Sequence, residues 1–455
     1  MSTAEGQDLE AQFAQWRQYV DRRKELRASD VAELEDHLRG TVSDLIGLGL
    51  RPDEAFLVAV KRMGSLDELS REFAQEHSDR LWKQLVLTPE ADSPAATRSR
   101  RDLVAMLVCA AGAAASVKIP ELFGLDPLHD VTFYGPNATL LVLPWLAGML
   151  AWRRRANRWL VGTVVALFAV GAVGANIYRL TENSQSIVLT AIHLPIALWF
   201  VVGVAYIADD WRSSRRRMDF IRFTGESVIY YTLIAIGGGV LTGFTLATFK
   251  TIGIEAGEFV VRWLLPCGAA AALVVTGWLV EVKQGVIENI APVLTRLFTP
   301  LFTAVLLAFL VAVAATTAVI SVDRDILILF NALLVVVLGL LLYSISARDP
   351  AGPPGFFDKL QLALVVSALL VDLLVLAAIT GRIADYGTTP NRTAAVGENV
   401  VLLANLGWSA WLLVGLVRRR TPFAALERWQ TNYLPVYAVW AWLIVLALPP
   451  LFHYR

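Results

Sequence analysis

The sequence predicts an all-α chain: a polytopic helical membrane bundle of about eleven transmembrane helices, preceded by a small cytoplasmic helical domain. Three observations carry this. From Leu103 to Phe452 the chain passes through about eleven apolar stretches separated by short polar loops. Most reach the ~20 residues that cross a bilayer, and so many such stretches do not pack into one soluble core. Hydrophobic residues make up 56% of the chain and charged residues 18%, a shift away from the globular average and toward lipid. The charges that remain gather in the first hundred residues and in the loops between apolar runs.

The amino-terminal domain spans residues 8–83. Phe13, Trp16 and Val20 mark one face of a first helix. Asp30 with Glu33 is placed to cap a second, which carries Val31, Leu34, Leu38, Val42 and Leu45 at helical spacing and ends at Gly47 and Gly49. Pro52 suits a first helical turn, and Ala55, Phe56, Ala59 and Met63 form the next apolar stripe. Ser65 with Glu68 opens a fourth helix carrying Leu66, Leu69 and Phe73. His37 and His77 stand on charged faces without metal-ligand partners, the pattern of solvated or capping histidines. Residues 84–101 form a linker, flexible over Thr88–Thr97 with Pro89 and Pro94.

The membrane domain occupies residues 102–455. Its spans are Leu103–Phe123, Ala138–Trp152, Trp159–Tyr178, Ile187–Ile207, Val228–Phe249 and Phe259–Val280, then Leu297–Ile320, Ile326–Ile345, Leu360–Thr380, Val400–Val417 and Leu434–Phe452. The second is the shortest. Open strands would leave backbone groups unpaired in lipid, so these segments are helices. The polar, acidic start of the chain lacks the basic and apolar regions of a cleaved signal, which leaves insertion to the first membrane helix.

Loop charge sets the orientation. Arg98, Arg100 and Arg101 precede the first span; Arg153, Arg154, Arg155 and Arg158 follow the second. Arg212, Arg215, Arg216, Arg217 and Arg222 follow the fourth, and Arg418, Arg419, Arg420 and Arg428 the tenth. The intervening loops carry scattered bases such as Arg179, Lys250 and Arg324. Cytoplasmic loops hold the excess of Lys and Arg, so the amino terminus is inside and the carboxyl terminus outside. That alternation independently requires an odd number of spans. Trp145, Trp152, Trp159, Trp263, Trp278 and Trp429 lie near span ends, as interfacial anchors do. The formal net charge is zero and the Arg clusters flank membrane segments, so no nucleic-acid footprint is present. Cys109 and Cys267 fall inside apolar stretches as small packing residues, with no CxxC spacing for a metal.

The run DVAELEDHLRGTVSDLIGLGLRPDEAFLVAVKRMGSLDELSREF, Asp30–Phe73, resembles the permease prefix domain, related to the HAAS-type accessory signalling domains. Glu33, Leu34, Leu38, Gly49, Glu54, Ala55, Arg62, Gly64 and Phe73 carry the likeness; Arg51 stands where a Ser or Thr cap is expected. The resemblance implies a small cytoplasmic helical module ahead of a bacterial membrane region, in the cytoplasmic (inner) membrane. It further implies a cytoplasmic protein partner, either an ATPase subunit or a PadR-like regulator. Near the end of the chain, GRIADYGTTPNR, Gly381–Arg392, is similar to an RI-x-x-YG-x-T-x-x-R loop signature of an uncharacterised bacterial multi-span family. That likeness covers roughly Phe298–Val417 and implies a fold label alone.

Polar residues inside spans are expensive and each invites a functional question. Asp372 lies mid-span among Leu369, Leu370, Val371, Leu373 and Leu374, where an ionised carboxylate needs a partner, water or a proton. Arg382 and Asp385 follow just beyond that span. Asn176, His193, Asn331 and Asn405 fall in the outer halves of theirs. Together these groups form either an externally open polar cavity around Asp372 and Arg382, or separate interhelical hydrogen bonds worth ~0.6 kcal/mol each. For any single Asn the second reading is favoured. Arg262 lies near an outer edge, where snorkelling accounts for it equally well. Gly237, Gly238, Gly239 and Gly243 form a small-residue face suited to close helix approach, or to an unwound stretch lining a site.

No Walker A, HExxH or GxSxG motif occurs, and neither catalytic residues, a metal site nor a cofactor is expected. Two functions remain: a permease-like transporter regulated by its prefix domain, or a membrane sensor that recruits a cytoplasmic partner through it. A membrane enzyme ranks well behind, because paired acid and base groups are lacking. The orientation has a direct test. A carboxyl-terminal fusion to a reporter that is active only outside the cytoplasm should be active; activity of a cytoplasm-only reporter at that position would overturn the topology.

Overall fold

The computed structural model describes residues 9–16, 28–47, 50–63, 94–127, 129–178, 184–252, 254–282, 290–315, 324–348, 350 and 352–453. Among these, all regular structure is helical and no strand occurs. The chain divides into two units, Met1–Arg98 and Ser99–Arg455.

In the first unit, residues 9–16 are helical, followed by α1 (Ala28–Gly47) and α2 (Pro52–Met63). The helix α1 begins two residues before Asp30, so Asp30 lies inside its first turn instead of capping it. The second helix does start at Pro52. Arg51 supplies no side-chain cap there; instead the Glu54 carboxylate accepts the Arg51 backbone N–H at 3.3 Å. Asp53 and Glu54 in the first turn also favour the positive end of the helix dipole. The Arg51 guanidinium bonds Asp53 and holds its carboxyl below the usual carboxylate range. Phe13, Trp16, Leu38, Val42, Leu45, Ala55, Phe56, Ala59 and Val60 form the core, with Phe13 edge-on to Phe56 at 5.2 Å. Arg39 covers this core with its guanidinium 4.1 Å from the Phe13 ring, while pairing with Glu10 and Glu35. Val20, the fourth helix at Ser65–Phe73 and the tether before Pro94 lie outside the described residues.

The second unit contains eleven long helices among the described residues: α3 (Pro94–Lys118), α4 (Val131–Arg153), α5 (Arg158–Asn176), α6 (Gln185–Ile207), α7 (Ser214–Thr251), α8 (Gly257–Val282), α9 (Ile290–Ala315), α10 (Arg324–Ala347), α11 (Phe356–Tyr386), α12 (Pro390–Val417) and α13 (Phe423–Leu446). Helix α8 opens with a π turn over Val260–Leu264. Pro94, placed in the linker by its sequence context, is instead the first residue of α3. Nine of the described helices are long and apolar enough to cross a membrane; α4 and α13 are not among them. Both correspond to predicted spans, and at 23 and 24 residues each is long enough. Their lower hydropathy comes in part from polar residues held on buried faces, Asn137 in α4 and Gln430 and Thr431 in α13. Leu143, Leu146, Ala147 and Leu150 of α4 and Ile444 and Val445 of α13 are almost wholly buried as well. The 38-residue α7, about 57 Å long at 1.5 Å per residue, overshoots a ~30 Å hydrocarbon layer. The excess is about 27 Å, roughly five turns.

The ends of these helices are tied in two sets. At one end Arg153 and Arg154, closing α4, bond Glu281 near the end of α8, and Arg153 also lies 3.8 Å from Asp102 at the start of α3. Asn157 before α5 donates to Asp209 after α6 at 2.6 Å. Arg217 of α7 reaches Asn432 of α13, Arg222 reaches the Ser346 carbonyl of α10, and Arg348 pairs with Asp358 at the start of α11. At the opposite end Arg262 of α8 bonds Asp126, the Tyr178 hydroxyl donates to the Leu446 carbonyl, and the Asn391 N–H opening α12 donates to Gln185. Consecutive helices are thus antiparallel, and α3 starts at the end opposite to the one where α13 finishes. The Arg clusters all fall at the first end. Two apolar cores fill the bundle, one built from α3 to α8 with Val445 of α13, the other from α9 to α13 with Met218 and Ile221 of α7.

The glycine face of α7 differs from both of its expected roles. Gly237, Gly238, Gly239 and Gly243 lie on an unbroken helix, and among the described residues no neighbouring atom comes within 4 Å of where a Cβ would sit. Close approach occurs elsewhere: a Cβ on Gly397 of α12 would overlap the Trp440 ring of α13.

Two outcomes follow from this arrangement. Residues 1–98 expressed alone should give a cooperative helical melt, and Phe56→Ala should lower its stability by about 3–5 kcal/mol. A non-cooperative melt of the parent fragment would contradict an independent core. Gly237→Ala should leave thermal stability in detergent unchanged or slightly raised, whereas Gly397→Ala should lower it measurably.

Candidate functional site

Helix α11 turns one face to the bundle interior: Leu364, Ala368, Val371, Asp372, Val375 and Ile379 are all buried there at helical spacing. Asp372 is 0% exposed, so neither carboxylate oxygen has room for a water molecule against it, and neither has a hydrogen-bond partner among the described residues. The surrounding helices therefore seal the carboxyl without satisfying it. Desolvating an ionised carboxylate without compensation costs far more than any single contact returns.

Among the described residues, the titratable group near enough to act on Asp372 is Glu398 of α12. Asp372 precedes the end of α11 by fourteen residues and Glu398 follows the start of α12 by eight, so they differ in depth by about 9 Å at 1.5 Å per residue. Glu398 is half-buried and lies nearer the α11–α12 turn. Next to it Asn399, 0% exposed, donates to Asn331 of α10 at 3.1 Å while its own Oδ1 is unpartnered. Gln361 of α11, 2% exposed, likewise leaves its Nε2 without a partner. Unsatisfied polar groups thus recur along α11 and α12.

The other predicted positions divide among separate seams. Asn176 of α5 exchanges two hydrogen bonds with Asn137 of α4, at 2.8 and 3.0 Å. Asn331 accepts from Asn399. Asn405, 0% exposed on α12, accepts from Trp429 Nε1 at 2.7 Å and donates to Gln430 and to the Tyr437 hydroxyl. Ser409 and Gln430 close this network, Gln430 donating to the Ser409 hydroxyl at 2.6 Å. His193 of α6 is 8% exposed, with Nδ1 2.9 Å from the Leu189 carbonyl one turn back. Arg382 and Asp385 lie on α11 itself, because that helix continues to Tyr386. Ten residues of helix, about 15 Å, separate Arg382 from Asp372. Asp385 is exposed.

The loop signature between α11 and α12 is a compact helix-to-helix turn. Gly387 ends α11 at φ +77, a conformation that favours glycine. The Thr389 hydroxyl caps α12 by accepting the Arg392 N–H, and Pro390 occupies its first turn. Arg392 folds back to donate to the Tyr386 and Gly387 carbonyls, which the end of α11 leaves unpaired. Tyr386, Gly387, Thr389 and Arg392 each have a structural duty in reversing the chain.

Sequence reading missed Glu398, Asn399, Gln430 and Asn137. The first two fell before the predicted span Val400–Val417, because polar residues at its edge lowered the local hydropathy; the helix starts ten residues earlier, at Pro390. Among the described residues no group of three His, Cys, Asp or Glu side chains is placed to hold a metal, and Cys109 and Cys267 are free thiols. Comparison with protein-family models, curated proteins and solved structures finds no match.

The two kinds of buried polar group respond oppositely to removal. Asn405→Ala strips partners from Trp429, Gln430 and Tyr437 and should cost about 1–3 kcal/mol in detergent unfolding. Asp372→Leu removes an unsatisfied carboxyl from an apolar face and should raise the unfolding midpoint. A drop equal to that of Asn405→Ala would show that Asp372 is satisfied by partners after all.

Proposed function

We propose that this integral membrane protein is a permease-like transporter of a small solute, regulated by its amino-terminal helical domain. The observation that carries the reading is Asp372: a sealed carboxyl without a partner among the described residues, in the middle of a bundle whose other buried polar groups are mostly paired. Proteins retain such a group against its cost where ions or substrates pass. The seal belongs to one conformation, and transport requires a second in which the carboxyl meets water or substrate. Glu398, half-buried toward the α11–α12 turn, marks the direction of access.

The end of the bundle that gathers Arg153–Arg155, Arg212–Arg222 and Arg418–Arg420 is cytoplasmic under the positive-inside rule. The α11–α12 turn then faces outward, in a bacterial cytoplasmic membrane as the prefix-domain resemblance implies. That same resemblance supports the regulatory role of the first unit, with an ATPase subunit or a PadR-like regulator as partner. The second reading, a sensor that signals through this unit, is favoured by the separate core of residues 9–60. The neighbouring coding region separates the two: an adjacent ATPase supports transport, an adjacent PadR-like regulator supports signalling.

Purified full-length protein in proteoliposomes, screened for solute-induced currents or uptake against a panel of small ions and metabolites, tests the proposal. At least one solute should be taken up, and Asp372→Asn should abolish uptake while leaving yield and melting nearly unchanged. Uptake indifferent to Asp372→Asn would remove Asp372 from the mechanism; no uptake of any panel member, together with retention of a regulator on the first unit, would favour the sensor.

A further inference from the structure

At the end of the bundle where the Arg clusters gather, α4, α6, α7 and α8 enclose a cavity of about 190 Å3. Arg154, Arg216 and Arg222 contribute cations to its wall, Asp219 and Glu226 anions, and Tyr206 a ring. Two of the cations are fixed before any ligand arrives. Arg154 lies 4.2 Å over Tyr206 and bonds Glu281 at 2.7 Å, yet its buried Nε has no partner among the described residues. Arg222 is anchored to the Ser346 carbonyl of α10. A ligand of one sign would meet its own charge on part of this wall. A small ligand that carries a phosphate and an ammonium group meets both.

The surface beside the cavity extends this argument. Asp219, Arg222 and Glu226 share one face of α7, at i, i+3 and i+7. The same face continues as Leu233, Val240 and Phe244, which are 58%, 56% and 71% exposed. None of the most apolar stretch of α7 is buried against the protein. A charged cavity at the end of a helix, followed by an uncovered apolar track along it, has the shape of a lipid: head, then chain.

We propose that this cavity is a phospholipid site selective for a zwitterionic phosphoethanolamine headgroup. Arg154 and Arg222 receive the phosphate, Asp219 and Glu226 the primary ammonium, and an acyl chain lies along Leu233, Val240 and Phe244. Guanidinium groups suit phosphate oxygens through their paired donors, and carboxylates suit an ammonium that still carries hydrogens. The inference requires a membrane location and is independent of transport.

Delipidated full-length protein in detergent, titrated with single phospholipids and read by native mass spectrometry, provides the test. Phosphatidylethanolamine should bind about tenfold more tightly than phosphatidylglycerol, which lacks the ammonium, or phosphatidylcholine, whose ammonium has no hydrogens to donate. Asp219→Asn should erase that preference, and Arg222→Gln should weaken all three lipids. Because Arg222 also ties α7 to α10, each variant is first checked for a wild-type melting profile; should Arg222→Gln fail to fold, Asp219→Asn decides alone. Equal binding of the three lipids, or a preference unchanged by Asp219→Asn, would overturn the proposal. So would displacement of the lipid by millimolar inorganic phosphate or glycine, which would make the cavity a site for soluble ions.

Discussion

Hydrocarbon offers the chain no hydrogen bonds, and the arrangement of the second unit follows from that single constraint. Backbone groups are satisfied within helices, so the spanning elements are helical. Side-chain polar groups have two exits: pairing across a helix seam or reaching the ends of the bundle. Asn137 with Asn176, Asn331 with Asn399, and Asn405 with Trp429, Gln430 and Tyr437 take the first. The Arg153–Arg154–Glu281 and Arg348–Asp358 pairs take the second. Asn137 of α4 and Gln430 of α13, which lower the hydropathy of those helices, are both paired across helix seams. Asp372 takes neither exit among the described residues; the hydroxyls of Thr190, Ser227 and Thr276 are orphaned too, but Asp372 is the carboxyl among them, and that makes it the centre of the functional reading.

The two ends of the bundle differ in chemistry as well as charge. One end is laced by Arg-to-carboxylate and Arg-to-carbonyl contacts that join α3, α4 and α8, α7 with α10 and α13, and α10 with α11. The other carries the α11–α12 reversal at Gly387–Thr389 and contacts such as Arg262 with Asp126, Tyr178 with the Leu446 carbonyl and Lys118 over the Trp263 ring.

The all-α architecture and the order of the long helices were legible in the sequence because length and hydropathy are local properties, and lipid punishes errors in both. The ends of the helices were less so. Polar residues at a span edge look like loop, which hid the first ten residues of α12 and with them Glu398 and Asn399; the continuation of α11 through Arg382 and Asp385 was hidden in the same way. Asn137 and Gln430 likewise fell in polar segments just before the predicted spans Ala138–Trp152 and Leu434–Phe452, and which polar side chain meets which is a matter of how helices fit together. The glycines of α7 show the converse: the spacing was legible, yet nothing among the described residues packs against it. Asp372 itself was visible as a lone carboxylate in a leucine-rich run, but its lack of any partner among the described residues emerged only from the three-dimensional arrangement of its neighbours.

The most direct measurement asks whether the sealed carboxyl position ever opens. Asp372→Cys, introduced after Cys109 and Cys267 are replaced by Ser, would be exposed in membrane vesicles to a small water-soluble thiol reagent. Thr388→Cys, on the exposed α11–α12 turn, serves as the reference for that side of the membrane. The account predicts slow but complete labelling at position 372 from that same side, because the helices must part to admit the reagent. A cysteine at 372 that stays unmodified while position 388 reacts fully would contradict it and leave Asp372 a buried group without access to water.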